Sequence, residues 1–364
     1  MLRSRRSWSR SVMALLLGIG LSSTGCAAAS PSETGVGASG LDAPSAPAAS
    51  APAASPSAAV APTSSGEAPS VAFAFETDAV VTRELTGTDE RYINPGAVIE
   101  HDGTFHMFAN LFTAWPGPVS VVHLRSADGV AWELAEAEPV LTRDDVPFAI
   151  TGIDVSSGLV DADGRWVLIF ETVENSKPWV VGRATAAGPD GPWTVDPEPI
   201  LEPGAAGEWD AGGITWPSIT ATDDGYAIYY TGLDRPRGSG AIGLATSIDG
   251  VTWTKHGEPV LSAEPSWERG KVDRPRVVRT SRGFAMVYAG GQLTDRGLAW
   301  SDDGITWRRD GEGPVIDQDD FPVDGRAWDA ALLERDGQLR YYLEIGSASG
   351  SSGTEVYLAR AEIP

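Results

Sequence analysis

From about residue 70 onward the chain is a succession of short apolar runs, each closed by glycine, aspartate or proline. No long stretch carries apolar residues at the helical i, i+3, i+4, i+7 spacing, so the runs read as strands. Each of five copies starts with an apolar strand, turns through charged residues or glycine into an aromatic strand, and often closes on Ser-x-Asp-Gly-x-x-Trp. The copies are NPGAVIEHDGTFHMFANLF with SADGVAW, VSSGLVDADGRWVLIFETV with the degraded AAGPDGPW, TWPSITATDDGYAIYYTGL with TSIDGVTW, DRPRVVRTSRGFAMVYAGG with SDDGITW, and WDAALLERDGQLRYYLEIG with EVYLARAEI. A period of about 60 residues has room for four strands and their turns.

Radial repetition of such a unit predicts an all-β fold, a five-bladed β-propeller over residues 70–364 in which each sheet buries its faces on its neighbours. The fifth copy runs out of chain before a fourth strand, and residues 71–85 (VAFAFETDAVVTREL) read as a lone N-terminal strand that closes the last blade. Asp128-Gly129, Asp249-Gly250 and Asp303-Gly304 read as hairpin turns with positive φ at both central residues. Trp132, Trp253 and Trp307 are expected to pack each outer strand onto the next blade.

Ahead of this domain the pattern changes twice. Residues 1–25 read as a signal peptide: Arg3, Arg5, Arg6 and Arg10, then the apolar SVMALLLGIGLS, then small residues. The apolar run is too short for the roughly 20 residues that span a bilayer. Ser23-Thr24-Gly25-Cys26 resembles a bacterial lipobox, which implies lipidation of Cys26 and anchoring to the outer face of the cell membrane, with plain secretion as the alternative. Residues 26–69, nearly all Ala, Pro, Ser and Gly, cannot bury enough surface to fold and read as a tether. Cys26 is the only cysteine, so no internal disulfide can form. A formal net charge of −23 repels nucleic acid and anionic headgroups, which leaves the lipid as the expected membrane contact and suits a neutral ligand such as a glycan.

The innermost strand of a propeller blade lines the axis, so ligand groups are expected where each copy begins. Those positions are Asn94-Pro95, Asp154, Thr215-Trp216-Pro217, Asp273-Arg274-Pro275 and Trp328-Asp329. A second column, Asn110, Glu171, Thr231, Ala289 and Glu344, marks the end of each second strand. Glu171 and Glu344 emerge from apolar strands, so burial should raise their pKa and suit a general acid, unless Arg274 or Arg276 pairs with them. Polar residues that cap turns or hold backbone amides are the structural alternative for both columns. The four histidines show no metal-ligand spacing, and no metal or other cofactor is expected.

NPGAVIEHDGTFHMFANLF resembles the first blade of glycoside hydrolase families 32 and 43, and SSGLVDADGRWVLIFE, YAIYYTGL, DRPRVV and FAMVYAGG resemble later blades; the likeness covers residues 90–364. It implies hydrolysis of a furanoside or related glycan by three carboxylates, one attacking or activating water, one orienting, one protonating the leaving oxygen. Asp154 matches the orienting aspartate, and Asp273 with either Glu171 or Glu344 would supply the other roles. Asn94, Trp216, Arg274, Trp328, Asp329 and Glu344 form the expected substrate-binding set, with Trp216 and Trp328 stacking on sugar faces. The chain departs from that pattern at Asn94, where an acid is usual, and at Thr215-Trp216, where a glutamate is usual. These departures leave a non-catalytic, surface-tethered carbohydrate-binding propeller as the alternative. An asparagine before the first-blade proline also occurs in the mannoside phosphorylases of family 130, which would need a cationic pocket around Arg274 and Arg276.

Overall fold

In the computed structural model, residues 70–364 are described apart from 176, 237, 239, 292–293 and 348–352. The expected signal peptide, Cys26 and tether lie outside the described residues. The described chain forms five antiparallel sheets. Their inner strands are Tyr92–His101, Gly152–Val160, Gly213–Thr222, Asp273–Thr280 and Gly325–Arg335 in blades 1 to 5. Blades 1 to 4 follow the chain outward from the axis, each ending in a very short outer strand. Blade 5 takes three strands from the C-terminal end, and its fourth is Ala74–Phe75, paired antiparallel with Arg360 and Ala359. The closing strand is shorter than the sequence suggested. Beyond it the Glu76 and Val80 amides still donate to Leu358 and Val356, Val81 bridges to Val356, and Arg83–Thr86 is a single helical turn that ends on Gly87.

Both faces of each sheet are apolar because both are covered. In blade 4, Phe284, Met286 and Tyr288 pack with Ala227, Tyr229 and Leu244 of blade 3, while the alternate Ala285 and Val287 pack with Leu339, Tyr341 and Leu343 of blade 5. The period-two alternation of a strand therefore appears in the sequence as the unbroken apolar run FAMVYA. Five such clusters fill the five spaces between neighbouring blades.

The Ser-x-Asp-Gly-x-x-Trp turns differ from the expectation in two ways. Only the glycine has positive φ (Gly129 76°, Gly250 69°, Gly304 76°), and the aspartate holds the turn by accepting hydrogen bonds from the amides two and three residues on, as Asp128 does from Val130 and Ala131. The turns also lean on the preceding blade rather than the next. Gly129 accepts from the Tyr342 hydroxyl of blade 5, Gly304 from Tyr229 of blade 3, and Trp132 and Trp307 meet the same tyrosines edge to face.

Candidate active site

Each inner strand carries a one-residue bulge just inside its start. The register slips between Asn94 and Ala97, Val155 and Ser157, Thr215 and Ser218, Asp273 and Arg276, and Ala327 and Ala330. An extra residue turns side chains that would alternate into ones that converge. Trp216 (φ 50°) and Arg274 (φ 52°) sit at these bulges in the left-handed region, a strained conformation for such residues. The bulges surround one end of the axis and enclose a cavity of about 350 Å³ to which all five blades contribute. Its polar groups are Asn94, Asp154, Arg274, Asp329, Glu344 and Thr354; its walls are Tyr92, Phe112, Trp115, Trp216 and Trp328.

Asp154 is buried and accepts a 3.2 Å hydrogen bond from Asn94 Nδ2. Asn94 is fixed in turn, its Oδ1 accepting from Asn110 Nδ2 (2.7 Å) and the Gly96 amide (3.1 Å). Burial, then the charges of Asp329 and Glu171, push Asp154 well above the usual carboxylate range, and the Asn94 bond only partly opposes this. Glu344 accepts from the Asp329 amide at 3.2 Å and is pushed up to about 8 by burial and then by the Asp329 charge. Asp329 is ion-paired with buried Arg276 at 2.5 Å through Oδ1, which also accepts from the Ala330 amide. Its Oδ2 is buried without a hydrogen-bond partner among the described residues. Such an oxygen needs a donor from water or a ligand hydroxyl.

Asp273 and Glu171, both expected among the catalytic groups, do not line this cavity. Asp273 Oδ2 faces Lys271 at 2.8 Å and Arg274 at 3.4 Å. Glu171 accepts from the Ser156 hydroxyl (2.7 Å), the Thr215 hydroxyl (2.9 Å) and the Trp216 amide (2.9 Å), so its oxygens are committed across the seam between blades 2 and 3. Asn110 does the same for Val155, and Thr231 for the Arg274 amide. In blades 1, 2 and 3 the second column is therefore a set of clamps, each second strand holding the bulge of the next inner strand, whereas Ala289 in blade 4 has no polar side chain with which to do so. Burial and then the Asp329 charge push Glu171 up to about 7 against these bonds. In blade 5 the register puts Ile345 opposite Ala327, which moves Glu344 out of that column and into the cavity.

No protein-family model matches the sequence. Over 237 residues it is 28% identical to a protein of Mycobacterium tuberculosis described as "Uncharacterized protein Rv1502", a match spanning 60% of this chain and 75% of that one. Several solved structures superpose on the propeller. A family 117 glycoside hydrolase of the marine bacterium Zobellia galactanivorans does so with a TM-score of 0.60 at 15% identity, over 80% of this chain and 91% of that one. For the GH43_1 enzyme of Xanthomonas citri complexed with xylose the values are 0.55, 17%, 78% and 88%. For a structure described with the GH130 family of mannoside phosphorylases and hydrolases that target β-1,2 mannosidic linkages they are 0.56, 18%, 74% and 84%. The fold is that of the five-bladed propeller glycoside hydrolases. On that shared frame the chain places Asp154, Asp329 and Glu344 at the axis, with Asn94 and Thr215 at register positions of the first and third blades.

Sequence reasoning did not single out Tyr92, Phe112, Trp115 or Thr354. A signal existed for two of them. Tyr92 lies two residues before Asn94 and Phe112 two after Asn110, so strand alternation puts each on its partner's side; the two rings pair across the sheet and stack at 5.2 Å.

Proposed function

We propose that the axial cavity binds the reacting end of a glycan and hydrolyses its glycosidic bond through Glu344, Asp329 and Asp154. The observation that carries this reading is the convergence of three carboxyl groups in unlike environments on one aromatic-walled cavity. Its volume falls within the range of about 300–1,000 Å³ usual for small-molecule sites. Glu344, raised to about 8, holds a proton at neutral pH and gives it to the leaving oxygen. Asp329, paired with Arg276 and with Oδ2 unpartnered, takes the proton of the attacking water or attacks the sugar itself. Asp154, held by Asn94, orients a sugar hydroxyl. Trp328 offers a stacking surface; one face of Trp216 is already covered by Arg274, whose guanidinium lies 3.7 Å from the ring centre.

The substrate class favoured is a furanoside or related glycan, which the likeness of the strand phrases supports. Export and anchoring through Cys26 rest on the N-terminal pattern alone. A screen of the full chain against aryl-glycosides and polysaccharides should release sugar from at least one, and Glu344→Gln and Asp329→Asn should remove that activity without changing the fold. Asn94 and Thr215, standing where acids are usual, favour a second reading, a propeller that binds glycans without turnover. Saturable binding with no product from any substrate would decide for it.

A further inference from the structure

Beside the axial cavity lies a larger one of about 630 Å³, lined by described residues between the second and third strands of blades 1, 2 and 3 and by the entries to the inner strands of blades 3 and 4. The two share Trp115, Trp216 and Arg274, so they adjoin. The shared wall is aromatic: Trp115 meets Trp179 edge to face at 6.0 Å, and Trp179 meets Trp216 at 6.2 Å. Trp115 is 43% exposed, so its ring is open to a ligand.

The charges of this side cavity run against those of the chain. It is lined by Lys177, Lys271 and Arg274, in a protein of formal net charge −23. Two carboxylates oppose them. Glu174 is spent on the Ile150 and Thr151 amides and the Thr151 hydroxyl. A single oxygen of Asp273 serves both Lys271 and Arg274. Among the described residues, exposed Lys177 donates only to the Phe148 carbonyl, and buried Arg274 Nε has no hydrogen-bond partner. The guanidinium carbon lies 3.7 Å from the Trp216 ring centre, a contact that restricts where its donors point.

We infer that the side cavity is a second sugar subsite that takes a uronate, with the sugar ring against Trp115 and Trp179 and the carboxylate facing Arg274 and Lys177. The inference rests on the axial cavity being a glycan site. A planar guanidinium matches a carboxylate with two parallel hydrogen bonds, and the aromatic walls and volume fit a sugar ring rather than a bare inorganic anion. The negative charge of the distant surface does not oppose this, because it is screened over about 8 Å at physiological ionic strength.

The test is calorimetric binding to the full chain of uronate oligosaccharides from pectin, alginate and glucuronoxylan, each compared with the same preparation after carboxyl reduction. At least one uronate set should bind about tenfold or more tighter than its reduced form. Arg274→Gln and Lys177→Gln should each shrink that ratio, with melting curves confirming that the variants remain folded. Equal binding of native and reduced sugars overturns the inference, and so does turnover that requires inorganic phosphate without preference for uronates. If native and reduced sugars bind equally and neutral glycosides are cleaved without phosphate, the hydrolytic reading stands. Selective uronate binding with no cleavage of any glycan would instead leave the subsite and remove the hydrolysis.

Discussion

Glu344 and Glu171 came from the sequence as the same kind of residue, a glutamate leaving an apolar strand, and their neighbours separate them. Glu344 faces the cavity and favours its proton in the folded state, titrating at about 8 rather than the ordinary 4.5. The stability it lends is complete below 4.5 and is lost as pH rises through about 8; Asp154, also raised, acts in the same direction. The melting temperature should therefore fall between about pH 5 and pH 9. The Glu344→Gln chain, which mimics the protonated form, should fall less steeply, by an amount of the order of a few kcal/mol at about 1.4 kcal/mol per pKa unit. The kcat of the unaltered chain should fall through the same alkaline range as the general acid loses its proton. Glu171→Gln should behave otherwise, because an amide with one oxygen cannot serve three donors. Denaturant titration should show a loss of about 1–3 kcal/mol, and kcat should fall less than in Glu344→Gln.

Among elements, the Asp-Gly turns and the inner-strand bulges show how a local motif acquires a tertiary role. The Ser301–Trp307 turn is closed by its own aspartate and serine, yet its carbonyl at Gly304 is claimed by Tyr229 of the preceding blade. Tyr229→Phe should cost about 1 kcal/mol in urea unfolding, the usual net value of one hydrogen bond. Gly304→Ala should cost more, since a Cβ there would lie 2.6 Å from the Tyr229 hydroxyl on a backbone with φ of 76°. The turns were legible as turns from Asp-Gly and the trailing tryptophan. Their direction of contact was not, because nothing within a blade says which neighbour it leans on.

For the whole molecule, ring closure is the feature most exposed to test. Val71, Phe73 and Val81 are buried, and the Val71 amide donates to Asp310 in blade 4, so the N-terminal segment joins blade 5 and touches blade 4 as well. Phe73→Ala should cost about 3 kcal/mol or more, read as a lowered melting temperature, since it empties a site between Tyr341 and its neighbours. A variant that leaves Thr354–Glu362 as an unpaired edge should also aggregate more readily.

Apolar periodicity and turn residues recur locally, so the sequence by itself determined the strand content, the five copies, the closing N-terminal segment and the axial placement of Asn94, Asp154, Arg274 and Trp328. Which carboxylates meet in the cavity was decided only by the tertiary structure. A side chain's face reverses with each residue along a strand, so one bulge in each inner strand decides whether an acid points to the axis or into a seam between blades. What each acid pairs with, Arg276 for Asp329, or Ser156 and Thr215 for Glu171, comes from distant parts of the chain or across a strand pair and leaves no trace in the residues beside it.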